Sequence, residues 1–232
     1  MDTETTFGGR AALRPPADPP IPSSHPQFGS DRSILNRSEA GLISTTTAPS
    51  VQLYFDHKGY TFASDILNQY LASHGADYEY IIRPADVAQI VKTQAVKTAA
   101  ESQLNWIKGE AARNGERGGA IQELTAAWQP ISVTDNSDVT LALGTFSVAV
   151  GSDTIVQRSG DKLKGDIRYR IYIYDLYDFD KTVDWWSSDP ELAIKKGLNH
   201  DMRQLEEAGW ARSFKARGNT ESLGDYTWSG EL

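Results

Sequence analysis

The chain has 232 residues and no cysteine, with 23 lysine and arginine residues against 31 aspartate and glutamate residues. Disulfides, cysteine zinc sites and thiol nucleophiles are therefore excluded. The formal net charge of -8 argues against nucleic acid as the main partner, because phosphate neutralisation needs a basic face. No run approaches the roughly 20 apolar residues of a membrane-spanning helix, and a hydrophobic content of 39% excludes wholesale disorder.

The first fifty residues are rich in proline. Seven of the ten prolines lie between Pro15 and Pro49, where proline resists helix formation and the neighbouring small polar residues offer little to bury. Residues 1–50 are therefore predicted to be an extended, mobile segment. A weaker hypothesis is that residues 2–6 dock as an added strand on another protein. The acidic start, with no apolar core after it, predicts no secretory signal peptide.

Apolar spacing predicts a helical domain over residues 51–130. Between residues 61 and 74, apolar side chains recur at intervals of three and four, which is typical of an amphipathic helix. A second helix is predicted over residues 84–108 and a short third helix over residues 120–128. The apolar run at residues 51–55 fits either a strand or the start of a helix.

Residues 131–232 change to the period of two that indicates strands. Short strands are predicted over residues 139–143 and 145–150, and a long strand over residues 164–176. A helix is then predicted over residues 189–208, since an aspartate followed by proline makes a good helix start. The aromatic tail after it is predicted to return strands to the sheet.

The long strand runs into an acidic cluster. Asp175 has the same parity as the isoleucines of the strand, so it is predicted to share their buried face. A carboxylate there is costly unless it is paired or at the rim; the alternative is that Asp175 only ends the strand and caps a turn. Asp178 and Asp180 follow, with Tyr177 between. Such carboxylates could bind a divalent cation or serve as base and acid in phosphoryl chemistry.

The order of these features resembles the colicin M family of bacteriocins. The family's Asp-x-Tyr-Asp-Phe motif reads Asp-Leu-Tyr-Asp-Phe at residues 175–179. Residues 144–150 look like the family strand before the motif, and residues 205–214 look like the closing helix and strand. The resemblance covers residues 139–218 and implies an α+β fold: a disordered N-terminal delivery segment, a helical middle domain, and a C-terminal half-open antiparallel β-barrel with a packed helix that carries the activity.

The resemblance also implies a reaction. Colicin M-like proteins hydrolyse lipid II between undecaprenol and pyrophosphate in the periplasm of target bacteria, which blocks peptidoglycan synthesis and requires magnesium. Asp175, Tyr177 and Asp178 match the family's essential positions. One of Asp175 and Asp178 is expected to activate water or attack phosphorus and the other to hold Mg²⁺, while Tyr177 orients the pyrophosphate. A hard, oxygen-liganded cation suits paired carboxylates.

One departure from the family pattern concerns a His-Arg pair that the family places shortly after the motif. At that offset this chain has Asp184-Trp185. His200 or Arg203, on the following helix, are candidates to supply the missing acid and positive charge. Alternatively, the chain keeps the scaffold and has lost this reaction.

The expected partners follow from the same resemblance. They are lipid II at the membrane surface, an immunity protein, and a delivery receptor or secretion component, for a monomeric chain secreted without a cleavable signal peptide. The alternative is a non-catalytic or differently acting toxin or interaction module on the same scaffold, delivered by a secretion apparatus. The acidic cluster favours the enzyme, and the missing His-Arg pair favours the alternative.

Overall fold

A computed structural model of the chain describes residues 13–23, 25–72, 79–179 and 190–232. Asp180 and the Asp184-Trp185 pair lie outside the described residues. Within these ranges, no helix is both long enough and apolar enough to cross a bilayer.

The helical elements agree in part with the sequence prediction. They are α1 (Ile34–Thr45), α2 (Thr47–Lys58), α3 (Thr61–Ala72), α4 (Pro84–Ile90), α5 (Gln94–Asn114), α6 (Ser137–Leu143) and α7 (Pro190–Glu207). Both α3 and α7 confirm predicted helices, and the ambiguous run at residues 51–55 lies in α2. The single helix predicted over residues 84–108 is wrong, because the chain turns at residues 91–93. There the Thr93 hydroxyl donates to the Ile90 carbonyl, and α5 begins anew.

The described strands form one mixed sheet. They are β1 (Glu79–Ile81), β2 (Gln122–Thr125), β3 (Gln129–Ser132), β4 (Thr145–Ser159), β5 (Lys162–Tyr177), β6 (Phe214–Asn219) and β7 (Tyr226–Glu231). Long antiparallel strands β4 and β5 form the centre, β6 and β7 both pair with β5, and β1 runs parallel to β6. The α+β fold is thereby confirmed. This sheet does not close into a barrel, so the half-open barrel stays a prediction.

Two short predicted elements have the wrong type. Residues 139–143, expected as a strand, belong to α6, because the Asn136 side chain accepts a hydrogen bond from Val139 N and so caps a helix. Residues 120–128, expected as a helix, contain β2, which pairs with β4 in antiparallel register. Short apolar runs have too few residues to distinguish the helical period of 3.6 from the strand period of two. For residues 120–128, pairing with the edge of β4 decides for a strand.

A single hydrophobic core joins the helices to the sheet. It contains Phe62 and Ile66 of α3, Ile107 of α5, and Ile171 and Ile173 of β5. These residues come from both sides of the predicted division between residues 130 and 131, so the core spans the helical and sheet-forming parts of the chain.

The N-terminal segment is ordered where the structure describes it. The expectation of an extended, mobile segment is wrong for residues 34–50, which form α1 and the start of α2. The preceding residues 13–31, Ser24 excepted, form no helix, as expected from their prolines. They nevertheless make hydrogen bonds to the rest of the fold. We call these residues the strap.

The strap crosses the face of the sheet opposite the helices. Tyr172 of β5 donates its hydroxyl proton to the Leu13 carbonyl, and the Trp128 indole donates to the Ala17 carbonyl at 2.9 Å. Gly151 of β4 permits the close approach, because a Cβ atom there would lie 2.8 Å from the Arg14 carbonyl oxygen. One face of β5 therefore packs on the helices and the other on the strap.

Asp138 fixes the start of α3 from a neighbouring helix. Its carboxylate accepts hydrogen bonds from Ala63 N at 2.8 Å and from Phe62 N at 3.2 Å. These amides belong to the first turn of α3, where backbone donors have no partner within the helix. Asp138 is itself buried, so its removal would leave two donors without water to replace it.

The substitution Asp138→Ala is expected to lower the free energy of unfolding by about 2 kcal/mol, because it removes a helix cap and leaves buried donors unpaired. Urea denaturation at neutral pH measures the change. Asp161→Ala, in the exposed turn between β4 and β5, is the matched control. Equal stability of the two variants would contradict the capping role.

Candidate active site

The predicted motif lies at the end of β5, and its residues alternate between the two faces of the sheet. Asp175 and Tyr177 are 6% and 7% exposed and share the face of the buried isoleucines, which confirms the prediction for Asp175. Asp178 has the opposite parity and lies beside the strap, with 19% of its side chain exposed. The two predicted ligands Asp175 and Asp178 therefore leave the chain on opposite faces.

Tyr177 is a core residue in this structure. Its ring centroid lies 5.8 Å from that of Tyr70, 5.4 Å from that of Phe179 and 5.1 Å from that of Phe214. Burial, with the nearby Asp175 charge, raises the pKa of the Tyr177 phenol well above its ordinary value. A neutral phenol within an aromatic cluster packs the end of the sheet, and its burial does not favour the predicted contact with a pyrophosphate.

The two predicted magnesium ligands, Asp175 and Asp178, do not share one face of the sheet. Magnesium takes one or two carboxylates together with waters and substrate phosphates, and a pair split across a sheet does not suit that role. Among the described residues, no three histidine, aspartate or glutamate side chains are placed to hold a metal ion. The magnesium requirement implied by the resemblance stays a prediction, and no step below is assigned to a metal.

His25 of the strap contacts the one motif carboxylate on the outer face. Its Nδ1 lies 2.9 Å from Asp178 Oδ2, and its Nε2 lies 3.1 Å from Ser213 Oγ. The imidazole therefore joins two residues that lie 153 and 188 positions away in the sequence. Sequence reasoning missed both His25 and Ser213; a lone histidine within a proline-rich run was the only visible signal.

The register of the sheet explains why these residues meet. Tyr177 pairs with Phe214 at the end of the β5–β6 ladder. Continuing that antiparallel register by one step sets Asp178 opposite Ser213, and cross-strand neighbours share one face. That face is the outer one, since Tyr177 and Phe214 both point into the core. The strap then brings His25 across the pair.

Glu206, near the end of α7, holds Ser213 from the other side. Its Oε1 accepts the Ser213 amide at 2.9 Å and lies 2.5 Å from Ser213 Oγ. The Tyr70 hydroxyl donates to the Met202 carbonyl at 2.8 Å and lies 3.3 Å from Glu206 Oε2. Glu206 is 1% exposed; burial raises the pKa of its carboxyl group, opposed by hydrogen bonds from Ser213 and by His25.

Two arrangements of protons satisfy these contacts. If Glu206 is neutral, its carboxyl group donates to Ser213 Oγ, the serine hydroxyl donates to His25 Nε2, and Nδ1–H of His25 donates to Asp178. If Glu206 is ionised, it accepts the serine proton, and a doubly protonated His25 donates to both neighbours. In the first arrangement the serine hydroxyl is aligned with a base.

A cavity of about 530 Å³ opens beside this cluster. Its apolar lining comes from Ile21, Pro26, Phe28, Leu176 and Phe214, and its polar lining from His25, Gln27, Glu206, Arg212, Ser213 and Lys215. The two cationic residues are held in place, because Lys215 Nζ lies 3.0 Å from an Asp18 oxygen and the Arg212 guanidinium lies 5.6 Å from the Phe28 ring centroid. The cavity suits a ligand with both anionic and apolar parts.

The two residues proposed to replace the family's His-Arg pair lie on α7. Arg203 Nε pairs with Glu207 Oε1 at 2.7 Å within the helix, and His200 is exposed. The imidazole that contacts Asp178 is that of His25.

Comparison of the chain with protein-family models, curated proteins and solved structures finds no match in any of the three. The resemblance to colicin M therefore rests on the sequence motif. What the fold and the site define is an α+β protein with an aspartate–histidine–serine cluster at the wall of a cavity.

Glu206→Gln is expected to remove a pH dependence of stability. Because the folded-state pKa of Glu206 is raised above 4.5, its contribution to stability is complete below about pH 4.5 and is lost as the pH rises through the folded-state value. The wild type should therefore lose stability, relative to the variant, as the pH is raised above about 4.5 in urea denaturation.

Burial also raises the pKa of Asp138. Asp138 is present in both proteins, so its contribution to the pH dependence of stability cancels in the comparison. Glu207→Gln, next to Glu206 in α7, is the matched control for the loss of a carboxyl group from this helix. An identical profile for the wild type and Glu206→Gln would show that Glu206 titrates normally.

Proposed function

We propose that the protein is an antibacterial toxin that hydrolyses lipid II at the undecaprenyl–pyrophosphate linkage. The observation that carries the proposal is the Asp178–His25 pair, with Nδ1 at 2.9 Å from the carboxylate, at a cavity with cationic and apolar walls. It places a carboxylate of the colicin M-like motif in contact with a group suited to proton transfer.

His25 is the acid and base of the proposed reaction. An imidazole is the side chain best suited to transfer protons near neutral pH. Asp178 fixes the Nδ1–H tautomer, which leaves Nε2 directed toward the cavity wall. As the nucleophile forms its bond to phosphorus it gives its proton to His25 Nε2, and His25 passes that proton to the undecaprenol oxygen as the P–O bond breaks. Asp178 acts through His25 and is a positioning residue, because it is not part of the cavity lining.

The substrate class follows from the walls of the cavity. Arg212 and Lys215 offer positive charge for a pyrophosphate, while Ile21, Phe28 and Leu176 offer apolar surface for a prenyl chain. The volume of about 530 Å³ lies within the usual range for small-ligand sites. It suits the linkage and the first part of the chain, with the remaining prenyl units outside.

A second candidate is a non-catalytic toxin or interaction module. The observation that favours it is that Asp18 of the strap already pairs with Lys215 and Arg217, so part of the positive charge is neutralised within the chain. In this alternative the outer face of the sheet is closed by the strap, and antibacterial action does not depend on His25.

An assay with labelled lipid II and the full-length chain tests the proposal. Release of undecaprenol is expected with magnesium present, and the rate should fall at least about 100-fold in His25→Gln and Asp178→Asn, because general acid–base catalysis contributes factors of about 10² to 10⁴. His200→Gln, on the exposed side of α7, is the matched histidine control and should keep the wild-type rate.

Each contrary outcome has a distinct meaning. No release by the folded wild type would refute hydrolysis of lipid II and favour the second candidate. Release that survives both His25→Gln and Asp178→Asn would refute the site. Full activity in the presence of a chelator would refute the magnesium requirement alone.

A further inference from the structure

Ser213 lies where a serine nucleophile would lie in a hydrolase. A carboxylate contacts Nδ1 of His25 at 2.9 Å, and a hydroxyl contacts Nε2 at 3.1 Å. This order of groups, with the base between the hydroxyl and an orienting carboxylate, is the geometry that activates serine. Ser213 also lines the cavity.

The serine is held rigidly. Its amide is bound by Glu206 at 2.9 Å, and it directly precedes β6, whose first residue packs in the core. A fixed nucleophile loses little entropy when it reacts. In the arrangement with neutral Glu206, the carboxyl group donates to Ser213 Oγ and the serine hydroxyl donates to His25 Nε2, which can take its proton.

We propose that Ser213 is the nucleophile of this site and that it forms a covalent phosphoseryl intermediate with an anionic phosphate ester. The Arg212 guanidinium on the same cavity, with Lys215 beside it in an ion pair with Asp18, favours a phosphate over a neutral carboxylic ester. The identity of the substrate as lipid II rests on the proposed function, whereas the reactivity of Ser213 does not.

The reaction has two steps. Ser213 Oγ attacks phosphorus, the Oγ–P bond forms and the P–O bond to the alcohol breaks; the serine proton passes to His25 Nε2 and then to the leaving alkoxide. Water then attacks the phosphoseryl group and gives a proton to His25. The Oγ–P bond breaks, and the serine oxygen takes that proton back. For lipid II, undecaprenol leaves in the first step and the pyrophosphate-linked saccharide in the second.

An alkyl fluorophosphonate tests the nucleophile without lipid II. The full-length wild type should gain one phosphonyl group, with loss of fluoride, on the peptide that contains Ser213. The rate of labelling should fall about 100-fold in His25→Gln. Ser229→Ala removes an exposed hydroxyl of β7 that donates to Asp166, and as the matched serine control it should label like the wild type.

A thiol variant provides a second readout, because the chain has no cysteine. In Ser213→Cys, alkylation by iodoacetamide should show a thiol pKa below the ordinary value of about 8.5, since an imidazolium beside a thiol favours the thiolate. The added substitution His25→Gln should return the pKa toward that value.

Absence of phosphonyl label on Ser213 in the folded wild type, or an unchanged labelling rate in His25→Gln, would overturn the proposal. So would an ordinary thiol pKa in Ser213→Cys. Labelling of Ser213 without release of undecaprenol would instead leave the nucleophile standing and refute only lipid II as the substrate.

Discussion

The buried carboxyl group of Glu206 joins the parts of the fold that make the site. Its side chain contacts Tyr70 of α3 and Ser213 before β6, and its backbone carbonyl accepts the amide of Gly29 in the strap at 2.8 Å. Asp31 N donates to the next carbonyl of α7, so the strap satisfies acceptors that the end of a helix leaves open. Strap, helix and sheet meet at one residue, and a charge there is costly unless it is paired.

The alternation of side chains along β5 divides the acidic motif into two parts with different chemistry. Asp175 and Tyr177 enter the core, where burial raises the pKa of the phenol and the rings pack together. Asp178 faces the strap and is the carboxylate that contacts an imidazole. Closely spaced carboxylates in a sequence therefore do not form one site when a strand separates them onto opposite faces.

Long periodic segments could be predicted from the sequence, and short ones could not. The spacing over α3, the helix start at Pro190 and the alternation of β5 each repeat over enough residues to identify one structure. The element types of residues 120–128 and 139–143 depended on partners elsewhere: an edge of β4 for β2, and an asparagine cap for α6. The contacts of the strap could not be predicted, because a high proline content indicates that a segment is not helical but does not indicate whether it packs against the rest of the fold.

The sequence by itself determined the α+β composition, the absence of thiol chemistry, and the burial of Asp175, because these depend on residue types and local period. Only the tertiary structure decided that His25 lies between Asp178 and Ser213. Those three residues are brought together by the β5–β6 register and by the path of the strap. Contacts over 153 and 188 positions leave no local pattern, since packing of distant elements fixes them.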